Sequence, residues 1–290
     1  MKNIFLVALF LLPTLLVAQR EITIDDFTTR NTFAQRSVYG INWMNDGKFY
    51  SSQDGNKVVK FNITTGQAVE TLVDGDALNT KLNIQSYEFS SDEKKLLLLT
   101  EREGIYRRSF KAEYYIYDLI SKSVQKLSAG GKQSYATFSP DATRVAFVRE
   151  NNLFYVDLAT MKEIQVTRDG KFNHIINGST DWVYEEEFSF AQAFYWSPDG
   201  KRLAFRRFDE SNVKEYNLQK WNKGALYPED YRFKYPKAGE DNSVVEIWIH
   251  DLAGGTNTKA DIGTNKDIYI PRVKWTNNPS VLSVRRMNRL

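Results

Sequence analysis

The feature that most restricts how this chain can fold is a turn motif that returns several times at long intervals. It reads Trp43-Met44-Asn45-Asp46-Gly47-Lys48-Phe49, then Phe89-Ser90-Ser91-Asp92-Glu93-Lys94-Lys95-Leu96, then Phe138-Ser139-Pro140-Asp141-Ala142-Thr143-Arg144-Val145, then Trp196-Ser197-Pro198-Asp199-Gly200-Lys201-Arg202-Leu203. A weaker copy is Trp275-Thr276-Asn277-Asn278-Pro279-Ser280-Val281-Leu282. The aromatic anchors stand 46, 49, 58 and 79 residues apart, and periods of that size belong to propeller blades, some of them carrying insertions. Ser-Pro-Asp-Gly is turn material, because Pro presets φ and Gly accepts the positive φ of a tight reversal.

Each turn leads into an apolar strand, as at Leu96-Leu97-Leu98-Leu99, Val145-Ala146-Phe147-Val148 and Leu203-Ala204-Phe205. A second strand ending in Asp follows at Tyr114 to Leu119, Leu153 to Leu158 and Ile247 to Leu252, and a short third one closes the set, as at Val124 to Leu127. This order predicts an all-β chain, a β-propeller of four-stranded antiparallel blades with about five of them present. Two stacked sandwiches are the competing architecture, but a sandwich gives no reason for one turn motif to repeat in register. Sixteen Tyr, 18 Phe and 6 Trp suit the half-buried pleated surface of such sheets. The long later intervals imply insertions at about 171–193 and 211–243, and insertions in repeat folds gather on one face, often the binding face. The first of them is expected to project from its blade.

Residues 1–18 read as a secretory signal peptide: Lys2 supplies the positive start, Ile4 to Leu12 the apolar core, and Val17-Ala18 the small-residue exit. The apolar run is short for a bilayer span, so export to a periplasm or the exterior is expected, with an uncleaved N-terminal anchor as the alternative. A polar and apolar lead-in occupies 19–40, and the propeller 41–290. A net charge of +3 spread along the chain gives no nucleic-acid footprint. The absence of Cys excludes disulfides and thiolate sites. With only His174 and His250 present, both read as structural, no metal centre or other cofactor is expected.

The chemically pointed stretch is Asp181-Trp182-Val183-Tyr184-Glu185-Glu186-Glu187-Phe188. An acidic run is ordinarily a solvated face, but this one is bracketed by aromatics that gain from burial, with Trp182 and Tyr184 expected to pack beneath it. Neighbouring carboxylates against apolar walls repel one another and resist ionisation until a cation sits between them.

These motifs resemble the N-terminal propeller of the dipeptidyl peptidase IV family. The likeness rests on the acidic stretch, on Trp196-Ser197-Pro198-Asp199-Gly200, on Tyr235-Pro236-Lys237-Ala238-Gly239 and on Tyr106-Arg107-Arg108-Ser109-Phe110-Lys111-Ala112 before Tyr117-Asp118-Leu119. It begins near Ile22 and runs to the last residue. The resemblance implies an eight-bladed propeller joined to an α/β-hydrolase domain with a Ser-Asp-His triad, releasing dipeptides from peptides with Pro or Ala in second position. It implies that Glu186 and Glu187 grip the substrate α-ammonium, that Arg107 contacts its backbone carbonyl, and that the lead-in packs on the hydrolase. An ammonium offers three donors for charge-assisted bonds, which an acylated terminus does not.

No Gly-x-Ser-x-Gly occurs, so the nucleophile elbow of an α/β-hydrolase is not expected in this chain. The sequence therefore reads as a fragment, a partial propeller without the catalytic domain, inactive alone and with no catalytic residue of its own. The expected partners are a peptide with a free N-terminus, the C-terminal hydrolase domain and, in the full-length protein, a second copy in a homodimer. The alternative is a non-catalytic exported propeller that scaffolds or binds peptides.

Overall fold

A computed structural model describes residues 20–35 and 40–289; the signal peptide expected at 1–18 lies outside them. The chain separates into two units, residues 1–39 and 40–290. The described part of the first holds one short helix, α1 (Ile24–Thr28), opened by a capping box in which Thr23 and Asp26 satisfy each other's backbone donors. Asp26 is buried and also receives Arg20 and the Thr32 hydroxyl.

The second unit is nearly all β and builds as successive antiparallel meanders. Blade one is β1 (Asn42–Trp43), β2 (Phe49–Asp54), β3 (Lys57–Asn62) and β4 (Ala68–Asp74). Blade two is β5 (Ser86–Phe89), β6 (Lys95–Gly104), β7 (Phe110–Asp118) and β8 (Val124–Lys126). Blade three is β9 (Ser134–Phe138), β10 (Arg144–Arg149), β11 (Asn152–Asp157) and β12 (Lys162–Gln165). Blade four is more elaborate. Its first edge is split into β13 (Ile175–Asn177) and β14 (Phe194–Trp196), both paired with β15 (Arg202–Asp209), and between them runs the helix α2 (Trp182–Glu187). From β15 the chain makes the hairpin β16 (Glu215–Lys220) and β17 (Glu229–Lys234) before returning as β18 (Val244–Asp251) and β19 (Thr256–Lys259). A two-stranded sheet, β20 (Ile268–Trp275) with β21 (Leu282–Asn288), supplies the first half of a fifth blade. The described chain is thus four blades and part of a fifth, a partial β-propeller.

The middle strands are apolar on both faces because each blade is covered by two neighbours. Leu96 and Leu98 of β6 enter the core shared with blade one, while Leu97 and Leu99 enter the one shared with blade three. Strand β10 repeats the device, with Val145 and Phe147 facing blade two and Ala146 and Val148 facing blade four. Four such cores lie between the five blades, and truncating one of these fully buried leucines to Ala costs about 2–5 kcal/mol.

The recurrent turn has a physical reason for its letters. In blades two to four the Ser hydroxyl donates to the Asp two residues on, at 2.7, 2.5 and 2.6 Å for Ser90, Ser139 and Ser197. The same oxygens accept the N–H of Lys95, Arg144 and Arg202 across the turn. The fourth turn residue adopts positive φ in every one of these copies and in the first, at Gly47, Glu93, Ala142 and Gly200. Neighbouring turns also bind each other: Asn45 N donates to the Glu93 carboxylate, the Ser91 hydroxyl to Pro140 O, and the Arg202 guanidinium to Pro279 O. One end of the blades is therefore stitched turn to turn at three of its four junctions.

Candidate functional site

Antiparallel meanders alternate their loops between two ends. The repeat turns take one end, so the β6–β7 hairpin with Arg107, the β10–β11 turn and the long insertion after β15 come out at the other. Helix α2 is brought to the same end by its contacts.

Sequence reading expects the acidic stretch to protrude from its blade; the structure corrects this. Helix α2 is only six residues long and lies down on blade four, with Val183, Tyr184 and Glu185 buried. Four hydrogen bonds fasten it. Asp181 caps it, accepting Tyr184 N at 2.9 Å and the Ser243 hydroxyl at 2.7 Å. The Tyr184 hydroxyl accepts the Ile270 N–H of β20 at 2.8 Å, and Arg272 donates to the Phe188 carbonyl at the far end. The Tyr184 ring fills the cluster formed with Phe188, Phe190, Phe208 and Tyr269, and Trp182 packs on Tyr235 with centroids 4.3 Å apart. The aromatics flanking the acids are the helix's anchor.

The three adjacent glutamates have three different environments, because successive helical residues point about 100° apart. Glu185 points inward at 1% exposure and accepts the backbone N–H groups of Arg108 and Ser109, at 2.6 and 2.8 Å. Glu186 is half-buried and reaches Arg107 Nε at 3.3 Å. Glu187 closes the helix and is exposed, with no ion pair among the described residues. The structure thus brings Arg107 and Glu186 together and leaves Glu187 beside them on the open side. Sequence reasoning does not single out Glu185; a run of three identical acids carries no sign of which one turns in.

The Arg107 hairpin is gripped from a second side. Tyr106 accepts a hydrogen bond from the Tyr231 hydroxyl of β17 at 3.3 Å and packs on Phe233 at 5.8 Å. Burial pushes the Tyr106 phenol well above its ordinary range.

Beneath this rim lies a cavity of about 470 Å³. Its walls include Tyr106, Trp182, Glu185, Glu210, Tyr231 and Lys234. Burial pushes Asp181, also in its wall, up to about 6 and Glu210 up to about 7. Among the described residues no three His, Cys, Asp or Glu side chains are grouped to hold a metal ion.

Antiparallel four-stranded blades in succession, with their insertions gathered at the end opposite the repeat turns, define this molecule as a segment of a β-propeller. A family model described as the dipeptidyl peptidase IV (DPP IV) N-terminal region matches residues 90–290. The chain belongs to that family. It is 32% identical over 282 residues to dipeptidyl aminopeptidase B of Saccharomyces cerevisiae, covering 90% of this chain and 34% of that one. It is equally 32% identical, over 256 residues, to inactive dipeptidyl peptidase 10 of Rattus norvegicus, covering 85% of this chain and 32% of the relative. Among solved structures it resembles Porphyromonas gingivalis dipeptidyl peptidase 4, with a TM-score of 0.85, 41% identity and coverage of 93% of this chain and 39% of the other. The chain spans about a third of the length of the curated relatives it matches.

Proposed function

We propose that this chain is the substrate-gating propeller of an exported serine dipeptidyl peptidase that releases X-Pro and X-Ala dipeptides. Glu186 and Glu187 clamp the peptide's α-ammonium in this reading, and Arg107 binds the backbone carbonyl that follows it. The observation that carries it is the meeting of Glu186 and Arg107 at 3.3 Å on a helix and a hairpin that are each fixed from below. A preorganised pair of this kind accepts an ammonium on one side and a carbonyl on the other without ordering new backbone. The α-amino group is charged at neutral pH, so the clamp counts residues from the free end of a peptide. The nucleophile and its triad come from an α/β-hydrolase domain, and the full-length protein pairs with a second copy. The described residues hold no helix long and apolar enough to cross a membrane; export rests on the signal-like residues 1–18.

The test is kinetic, on the full-length protein. Glu186→Gln and Glu187→Gln each remove one charge, and losing a partner of a desolvated charge pair costs about 2–5 kcal/mol, roughly 30-fold or more in kcat/KM. Free dipeptidyl amides should suffer that loss while N-acetylated ones, poor substrates from the start, lose nothing further. Equal kinetics of both variants and the unmodified protein would remove the clamp. A second reading, peptide binding without hydrolysis, is favoured by the relative whose own name declares it inactive. It predicts peptide binding sensitive to Glu186→Gln and no turnover at all.

A further inference from the structure

The cavity beneath the rim holds acids that the clamp does not use. Glu210, at the end of β15, is 6% exposed, and its carboxylate has neither a hydrogen bond nor an ion pair among the described residues. The charges it feels are those of Asp181, Lys234 and Asp209. The first two line the cavity with it, which puts the carboxylate on the cavity side. Burying an unpaired carboxylate is costly, and proteins keep such groups where something pairs with them.

The cations in the same walls are already engaged. Lys111 and Lys132 pair with Glu103, Arg149 pairs with Glu163, and the Lys234 ammonium donates to the Val213 carbonyl at 2.7 Å. On the acid side, Glu185 spends one oxygen on two backbone N–H groups and Asp181 is occupied as the helix cap. Glu210 is left as a buried acid of the cavity with no partner among the described residues, framed by the rings of Tyr106, Trp182 and Tyr231. Carboxylate with aromatic faces is the environment that recognises an organic cation, and the volume suits a small molecule.

We propose that this cavity is a second binding site, separate from the Glu186 and Arg107 rim, for an organic cation with a flat apolar body, such as an arginine-like or aryl-amidine group. The cation pairs with Glu210 and lies against the aromatic walls. Glu210 carries a proton for part of the time in the empty site, and an entering cation displaces it. Binding therefore strengthens as pH rises through about 7 and levels off above. The charged and titratable neighbours that set this are Asp181, Asp209 and Lys234, with Glu185 and Tyr106 across the cavity.

The test uses the full-length protein and three probes of one shape: benzamidine, neutral benzamide and the benzoate anion, titrated by calorimetry at pH 6, 7 and 8. Benzamidine should bind about tenfold or more tighter than benzamide, with benzoate not binding, and should tighten with pH. Glu210→Gln keeps the shape and removes the charge; it should weaken benzamidine about tenfold and abolish the pH dependence, its fold checked by thermal melting. Glu186→Gln should leave the Glu210-dependent, pH-sensitive binding of benzamidine in place, so failure of the clamp and failure of this site give different results. Equal binding of benzamidine and benzamide, unchanged affinity in Glu210→Gln, or loss of binding in Glu186→Gln alone would each overturn the proposal. So would no detectable binding of benzamidine.

Discussion

Glu186 reaches the Arg107 guanidinium at 3.3 Å, joining a helix of blade four to a hairpin of blade two across a sequence distance that no local structure spans. The Arg107 side chain is 71% exposed, and exposed ion pairs add about 0–1 kcal/mol to stability. The pair is therefore poor as a fastening, and its placement matters for what it presents to a ligand. Arg107→Ala should leave the urea midpoint within that narrow margin. On the proposed function, the same change in the full-length protein should still lower dipeptide release about tenfold or more, read as kcat/KM.

Glu185 does the fastening that Glu186 does not. Its two charge-assisted bonds hold the backbone of Arg108 and Ser109. Glu185→Ala should destabilise the fold by about 2–4 kcal/mol, since two backbone donors, that of Ser109 buried, lose a charged acceptor. Hydrogen exchange at the Arg108 and Ser109 amides should accelerate at the same time. Protection unchanged at those amides would show that the hairpin is held from elsewhere.

Tyr184→Phe removes one oxygen from a packed ring. Its hydroxyl is the acceptor for Ile270 N–H at 2.8 Å, so the variant strands a buried donor at a cost of about 1–3 kcal/mol. Denaturant unfolding should show that loss with an unchanged slope.

Two buried acids oppose the usual acid lability of a protein. Burial raises Glu210 from an ordinary 4.5 to about 7 and Asp181 from 3.8 to about 6. A carboxyl whose folded pKa lies above its unfolded one favours the fold fully at low pH, and this contribution is lost as pH rises through the folded value. Asp141 and Asp199 run the other way: the neighbouring Ser hydroxyl and backbone bonds lower them, so their contribution is lost as pH falls. Glu210→Gln should therefore stabilise the unliganded protein at pH 8 by on the order of 1–3 kcal/mol and have little effect at pH 4. Melting temperatures at the two pH values test the sign.

The repeat turns make a matched set of variants. Ser90, Ser139 and Ser197 are all buried and make the same donor and acceptor bonds. Ser→Ala at each should cost about 1–2 kcal/mol, and on the proposed function kcat/KM of the full-length protein should be unchanged.

The blades are legible in the sequence because the turn chemistry repeats: a Ser-x-Asp turn between two strands needs the same letters each time. The apolar runs of β6 and β10 are legible for the same kind of reason, since a strand covered on both faces shows no alternation. Blade four is harder. Its first edge is split, and the three residues of β13 carry no periodicity long enough to mark a strand. Arg206 and Arg207 look alike as neighbours. Yet Arg206 is 1% exposed, bound to the Ile270 carbonyl and the Tyr195 hydroxyl, while Arg207 pairs with Asp169 nearer the surface. Which of two adjacent like residues turns inward depends on the next blade, and the same is true of Glu185, Glu186 and Glu187. Glu210 gives no signal at all, because its isolation is a property of tertiary packing.

The bonds from Asn45 to Glu93, from Ser91 to Pro140 and from Arg202 to Pro279 run like a hem along one border of the sheets. With blades joined to one another along that border, the opposite border needs fewer such joints, and those it has, such as Glu185 on the Arg108 and Ser109 amides, sit where the loops meet. Loops there can lengthen, as the hairpin of β16 and β17 has, and diversify in the ligands they meet without disturbing the frame that carries them.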